Sequence, residues 1–127
     1  MNKMFLLFSH ELTEGQIKEA ENRFKIEKFI YLTDELQKLW SNIPPEGELD
    51  ETYIKEFKDF ISSKSEKGDY ILIQGEFGMT YNMVQWSFKK GYIPIYASSK
   101  RVYKYIQKED GTIENIHIFK HVNFRRY

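Results

Sequence analysis

One stretch constrains this chain more than any other: Gly68 to Arg101, GDYILIQGEFGMTYNMVQWSFKKGYIPIYASSKR. The apolar run Tyr70–Ile73 reads as a buried strand, and Gly75 permits a sharp exit from it. Thr80 to Lys90 has helical character, carries Tyr81, Val84, Trp86 and Phe88, and closes at Gly91. A second apolar run, Ile93–Tyr96, leads into the polar loop Ala97-Ser98-Ser99-Lys100-Arg101. Strand, turn, helix and strand in this order make a right-handed crossover between parallel strands. Such a unit gathers backbone amides, hydroxyls and cations at the carboxyl edge of the sheet, where open α/β sheets take their ligands. The pattern predicts a binder of something anionic.

The flanking sequence repeats the alternation. Met4–Phe8 is a continuous apolar run, the pattern of a strand covered on both faces. Thr13 and Gln16 form a capping box for a helix whose Ile17, Ala20 and Phe24 share one face. Phe29–Leu32 reads as the second strand. Thr33 caps a short helix through Leu36, Leu39 and Trp40, ending near Pro44-Pro45. The acidic turn Gly47–Glu51 reads as a flexible loop, and Tyr53, Phe57, Phe60 and Ile61 then fall at helical spacing. Val102–Gln107 and Ile113–Phe119, joined by Glu109-Asp110-Gly111, form an antiparallel hairpin. The expected fold is α/β: one domain over 1–127, a parallel sheet with flanking helices and a C-terminal antiparallel hairpin. Usual strand orders set the first and third strands side by side, so Ser9-His10 should face Gln74–Thr80 across a crevice walled by Ala97–Arg101.

With 127 residues the chain suits one core. It has no cysteine, which excludes disulfides and thiolate metal sites and agrees with a reducing cytoplasm. The opening residues do not resemble a signal peptide, and no apolar run approaches the ~20 residues of a membrane helix. Net charge is zero but segregated: −5 over residues 1–66, +1 over 67–97 and +4 over 98–127. A neutral total disfavours binding to long nucleic acid, whereas a local basic tail suits a small anion.

Three groups carry the candidate chemistry. The first is Gln74, Gly75, Glu76, Phe77, Gly78, Met79 and Thr80, where Gly78 would let a ligand approach the backbone and Thr80 would cap the helix or meet a phosphate. The sequence lacks the Lys-Ser/Thr ending of a phosphate loop and the GxGxxG of a dinucleotide site, and a plain tight turn explains it equally. The second is Ser9-His10, where a hydroxyl and an imidazole could contact phosphate or ribose, or His10 could simply cap a helix. The third is Ser98-Ser99-Lys100-Arg101, which suits a phosphodiester or is an exposed loop. His117 and His121 lie four apart in an extended segment and would not meet as a metal pair. The acids of residues 46–51 read as a solvated loop, and Trp40 and Trp86 as core.

The opening MNKMFLLFSHELTEGQ, the central segment quoted above and the closing IFKHVNFRRY together resemble a small accessory family encoded beside type III CRISPR systems. That family is of the Csx ring-nuclease type and related to the CRISPR-associated Rossmann fold, or CARF. The resemblance implies a homodimer whose merged crevices hold a cyclic oligoadenylate second messenger, cyclic tetra-adenylate above all; the expected compartment is the cytoplasm, and the expected chemistry needs no cofactor or metal. It also implies that such a protein cuts the ring and ends the antiviral response. The loops after the first and fourth strands would hold the ring, matching Ser9-His10 and Ala97–Arg101. On chemical grounds, a ribose 2′-hydroxyl would attack the adjacent phosphorus. Lys100 or Arg101 would stabilise the charge, amides of Gly75–Gly78 would hold phosphate, and His10 or His121 would act as acid, base or positioner. A non-catalytic ring binder and a protein-binding adaptor are the other readings.

Overall fold

The computed structural model describes residues 1–127. In chain order the elements are β1 (Asn2–Leu7), α1 (Glu14–Arg23), β2 (Ile26–Ile30), α2 (Asp34–Ser41), α3 (Glu51–Ser62), β3 (Tyr70–Ile73), α4 (Phe77–Lys90), β4 (Ile93–Gln107) and β5 (Ile113–Arg126). They form one five-stranded sheet in the order β2-β1-β3-β4-β5. The first four strands run parallel, and β5 is antiparallel to β4. The fold is therefore mixed α/β, and β1 lies beside β3 as the apolar runs predict.

Successive side chains of a strand point to opposite faces, and the sheet uses both. On one face Phe5, Leu7, Ile71 and Ile73 pack under α2, α3 and α4, with Trp40, Phe57, Ile61, Met79 and Met83 buried against them. On the other, Met4, Leu6, Leu72, Ile95 and Ala97 meet Ala20 and Phe24 of α1 and Phe124 of β5. The helix starts follow local chemistry. Thr13 and Gln16 make the reciprocal capping box, with N···O distances of 3.2 and 3.0 Å. Thr33 caps α2 through the Leu36 amide, and Asp50 caps α3 through the Thr52 amide.

Four expectations need correction. The second strand is Ile26–Ile30 and not Phe29–Leu32. Lys25 turns the chain out of α1 with φ 57°, so pairing starts early, at Asn2↔Ile26. The segment Gly47–Glu51 is not wholly a loop, because Glu51 opens α3 and Leu49 packs on the core. Helix α4 starts at Phe77 and not at Thr80, and its buried stripe is Met79, Met83, Val84 and Ser87. Tyr81 and Phe88 are exposed, and Trp86 lies half-buried, edge-on to Tyr92.

The largest correction concerns Ala97–Arg101, which is not a loop. Strand β4 runs through it for 15 residues and β5 pairs along its length, from Ile95↔Arg126 to Gln107↔Ile113. A register shift between Ser98 and Ser99 absorbs the break in alternation. At the far end Gly111, with φ 85°, closes the turn, and the Lys108 amide donates to the Thr112 carbonyl at 2.8 Å. Between Ser98 and Val122 no side chain is buried, so this half of the hairpin projects from the body as a two-stranded ribbon.

Phe124 is the anchor of β5, fully buried between Phe24 and the sheet. Phe124→Ala should cost roughly 3–5 kcal/mol, the usual range for emptying a buried phenylalanine site. Chemical denaturation would show it, and hydrogen exchange should rise first in β5.

Candidate functional site

Strands β1 and β3 end side by side, and the chain leaves each in a different direction. Two adjoining cavities open there. The smaller, about 230 Å³, is lined by Phe8, Ser9 and His10 after β1 and by Gln74 and Gly75 after β3. The larger, about 560 Å³, shares Ser9 and His10 and extends along Glu11, Leu12, Tyr31, Leu32, Asp34 and Gln37. Ser9 and His10 are exposed, and the imidazole stands edge-on to Phe8 with ring centres 5.4 Å apart. Gln37 fixes the end of β1 by donating to the Phe8 carbonyl at 2.9 Å.

The opposite lip is held from three sides. The Gln74 amide donates to the Leu7 carbonyl at 3.0 Å, and its own carbonyl accepts from the Trp40 indole N–H at 3.0 Å. Its side-chain oxygen accepts from the Ala97 amide at 2.7 Å, tying β3 to β4. Gly75 is required here for packing, since a Cβ would lie 2.7 to 2.9 Å from the Trp40 indole. At Gly78 a Cβ would meet Leu49 at 3.0 Å and the Glu76 carboxylate at 3.2 Å. The space beside both glycines is filled by protein, which corrects the expectation that Gly78 serves ligand approach.

The start of α4 corrects a second expectation. Glu76 caps the helix, its carboxylate accepting from the Met79 amide at 2.8 Å. A carboxylate thus occupies the electropositive helix end where a phosphate would otherwise sit. Thr80 lies one turn inside with its amide bonded to the Glu76 carbonyl, and its buried hydroxyl has no partner. Phe77 is 93% exposed at the first helical position, a free aromatic surface.

The remaining candidates are dispersed. Ala97 and Ser98 stay near the crevice through the Gln74 bond, with Ser98 paired to Asn123. Ser99, Lys100 and Arg101 lie on the ribbon, outside both cavities, and the Arg101 guanidinium sits 5.2 Å from the Phe119 ring centre. His121 is on the α1 side of the sheet, with Nε2 2.7 Å from Glu19 and Nδ1 3.5 Å from the Gln16 amide nitrogen. Glu19 also accepts from the Phe124 amide at 2.9 Å and from Arg23 at 2.8 Å. Burial alone would raise the Glu19 carboxyl, but the Phe124 amide, His121 and Arg23 outweigh it and hold it below its ordinary value of 4.5. His121 is therefore a clamp between β5 and α1.

Sequence reasoning missed Tyr31, Asp34 and Gln37 as cavity walls, because Tyr31 was assigned inside a strand that ends one residue earlier. It also missed Tyr127, whose hydroxyl donates to the Ile73 carbonyl and whose ring packs 4.9 Å from that of Tyr96. Burial, with Tyr96 adding to it, pushes the Tyr127 phenol up to about 12.

Two outcomes follow from this geometry. Gly75→Ala should destabilise the protein by roughly 1–3 kcal/mol, because the new methyl must displace a buried indole; a blue or red shift of Trp40 fluorescence should accompany it. Glu19→Gln should lower the melting temperature at neutral pH. The folded-state value of Glu19 is depressed, so its contribution is present above pH 4.5 and is lost as pH falls through the folded value. The gap between wild type and variant should therefore close on acidification below that pH.

Residues 2–125 match the family described as "Uncharacterized protein MJ1673 family". A protein of that description from Methanocaldococcus jannaschii is 51% identical over 127 residues, covering 100% of this chain and 98% of the relative. No solved structure matches the chain. The match spans both crevice lips and the ribbon alike, and the chain belongs to the MJ1673 family.

Proposed function

We propose that this chain is a Rossmann-like, CARF-type domain that binds a cyclic oligoadenylate, cyclic tetra-adenylate first among them, and cuts it as a cytoplasmic ring nuclease of type III CRISPR defence. The observation that carries the reading is the pair Ser9-His10, which lines both cavities at the carboxyl ends of adjacent parallel strands. This is the switch point where open α/β sheets take nucleotides. The resemblance of the opening, central and closing segments to the CARF-related family supplies the ligand class. Tyr31 and Phe77 offer exposed aromatic faces on which adenines can stack.

The chemistry needs little from the protein. The ribose 2′-oxygen forms a bond to the adjacent phosphorus as the bond to the 5′-oxygen breaks. The attacking hydroxyl loses its proton and the leaving oxygen gains one, giving a 2′,3′-cyclic phosphate and a free 5′-hydroxyl. Alignment in a cleft can supply roughly 7–11 kcal/mol in favourable intramolecular cases. His10 is the imidazole within reach of the crevice and serves as the proton carrier, with the Ser9 hydroxyl donating to phosphate. The walls of the two cavities contain no lysine or arginine. Lys100 and Arg101 thus have no part in a single protomer's cleft, and Glu76 keeps phosphate away from α4. The same lack of cations favours a second reading, a binder that holds the ring without cutting it.

Purified protein incubated with cyclic tetra-adenylate in EDTA should give linear products ending in a cyclic phosphate, separable by chromatography. His10→Ala should slow cleavage by about 10²–10⁴-fold, the usual worth of a positioned proton carrier, while retaining binding. An intact ring that co-elutes with the protein supports the binder, and an intact ring that does not bind overturns both readings.

A further inference from the structure

The two faces of the projecting ribbon differ. Side chains alternate between faces along a strand, and partners directly across an antiparallel pair share one. One face carries Lys100 opposite Lys120, Val102 opposite Ile118 and Lys104 opposite Ile116, and its Val102, Ile116 and Ile118 are half-buried. The other face continues the side of the sheet on which Ala97 and Phe124 meet α1. It presents three successive rows: Arg101 with Phe119, Tyr103 with His117, and Tyr105 with Asn115. The rings of this face stand open to water, with Phe119 65% exposed, Tyr103 56% and Tyr105 73%. The Arg101 guanidinium lies 5.2 Å from the Phe119 ring centre, and His117 stands edge-on to Tyr103 at 4.6 Å, so two of the rings have neighbours without being covered. Soluble surfaces scatter their apolar side chains singly, and a contiguous aromatic patch marks a binding surface.

The charge around the patch selects the ligand. Residues 98–106 and 115–123, the part of the ribbon nearer the body, hold four cations, Lys100, Arg101, Lys104 and Lys120, and no aspartate or glutamate. All four are exposed, and none lies within ion-pair distance of an acid. The acids of the hairpin, Glu109, Asp110 and Glu114, are confined to its tip, where Glu114 pairs with Lys108. At the base, Glu19 is already engaged by Arg23, His121 and the Phe124 amide. The core of a protein-docking surface is depleted of lysine. Open rings interleaved with unpaired cations instead match single-stranded nucleic acid, whose bases stack on aromatic faces while its phosphates track positive charge. The zero net charge of the chain is no obstacle, because a footprint of a few nucleotides meets only the local charge.

We propose that the aromatic face of the ribbon binds single-stranded RNA. Its rows repeat about every 7 Å at the rise of an antiparallel strand, so successive bases, unstacked from one another, rest on Phe119, Tyr103 and Tyr105 in turn. Arg101 adds a guanidinium plane beside the first ring. The lysines of the opposite face have long stems that reach past the edges of a ribbon only two strands wide, and they meet the phosphates on either flank. His117 and Asn115 set polar groups among the rings, where they can bond the ribose 2′-hydroxyl that DNA lacks. Stacking of this kind tolerates any base, so the surface reads strandedness and sugar. It lies outside both cavities and does not rest on ring binding at the crevice.

The test is fluorescence anisotropy of a labelled linear oligouridylate of about 10 nucleotides, titrated with the full chain at low salt in EDTA. This probe has neither adenine nor a ring, so its binding is separate from that of cyclic tetra-adenylate. Wild type should bind it, more weakly as salt rises. Tyr103→Ala with Tyr105→Ala should weaken binding at least about tenfold, whereas Tyr103→Phe with Tyr105→Phe should retain it, because the ring faces survive. Lys100→Gln with Arg101→Gln should weaken binding and flatten its logarithmic salt dependence by roughly 1–2. His10→Ala should leave oligouridylate binding unchanged, and the paired tyrosine variants should leave the response to cyclic tetra-adenylate unchanged, so either proposal can fail alone. No binding at low salt overturns the inference, as does binding indifferent to the tyrosine-to-alanine pair. Equal affinity for duplex RNA, which offers no free base faces, overturns it too, and equal affinity for oligodeoxyuridylate overturns the assignment to RNA. Poly-glutamate bound as tightly as the oligouridylate overturns it in favour of an acidic protein partner.

Discussion

The contact on which the crevice depends is that of the Trp40 indole with the turn after β3. The ring lies so close to Gly75 that no side chain fits, and its N–H satisfies the Gln74 carbonyl at 3.0 Å. A half-buried carbonyl at a strand end still costs free energy to leave unpaired, so this bond fixes the direction in which the chain leaves the sheet. From that direction follow the place of Gln74, its bond to the Ala97 amide and the lip facing Ser9 and His10. Phe57 packs edge-on to Trp40 at 5.2 Å, so α3 holds the indole while the indole holds the turn.

The electrostatics of the crevice separate two roles that the sequence runs together. A glycine-rich turn before a helix suggests an anion site, but here the helix end is neutralised by the chain's own Glu76. An anionic group entering the proposed site would meet Ser9 and His10 instead, with the exposed Tyr31 ring in the wall of the same cavity. This suits a ligand whose bases are gripped more firmly than its phosphates, and it bears on the proposed choice between cutting a ring and merely holding it. The cations expected at the crevice lie on the ribbon, outside both cavities.

The parts legible in the sequence were those in which one local signal dominates. Met4–Phe8 and Tyr70–Ile73 are apolar without interruption, so their burial and adjacency could be read directly. Thr13 with Gln16 announced α1 because both halves of the capping box are present. The start of α4 was hidden because glutamate is an uncommon cap and Thr80 a common one, one turn too late. The long reach of β4 was hidden because Ser98-Ser99-Lys100-Arg101 has the composition of a loop. Only pairing with β5, a contact remote in sequence, makes it a strand, and the shifted register conceals the alternation. Glu19 and His121 are 102 positions apart, and no short-range pattern links them.

Strand β4 passes from the crevice wall to the ribbon tip as a single element. Its Ala97 amide is bonded to Gln74 at one end of the site, and two residues later it leaves the body. The ribbon is about 30 Å of lever arm at the usual rise per residue, with its fulcrum at the bulge between Ser98 and Ser99. A load on the tip is therefore delivered as torque at Ala97, one hydrogen bond from the lip of the crevice. The attitude of the ribbon and the position of Gln74 at the lip are mechanically geared to each other through that bond.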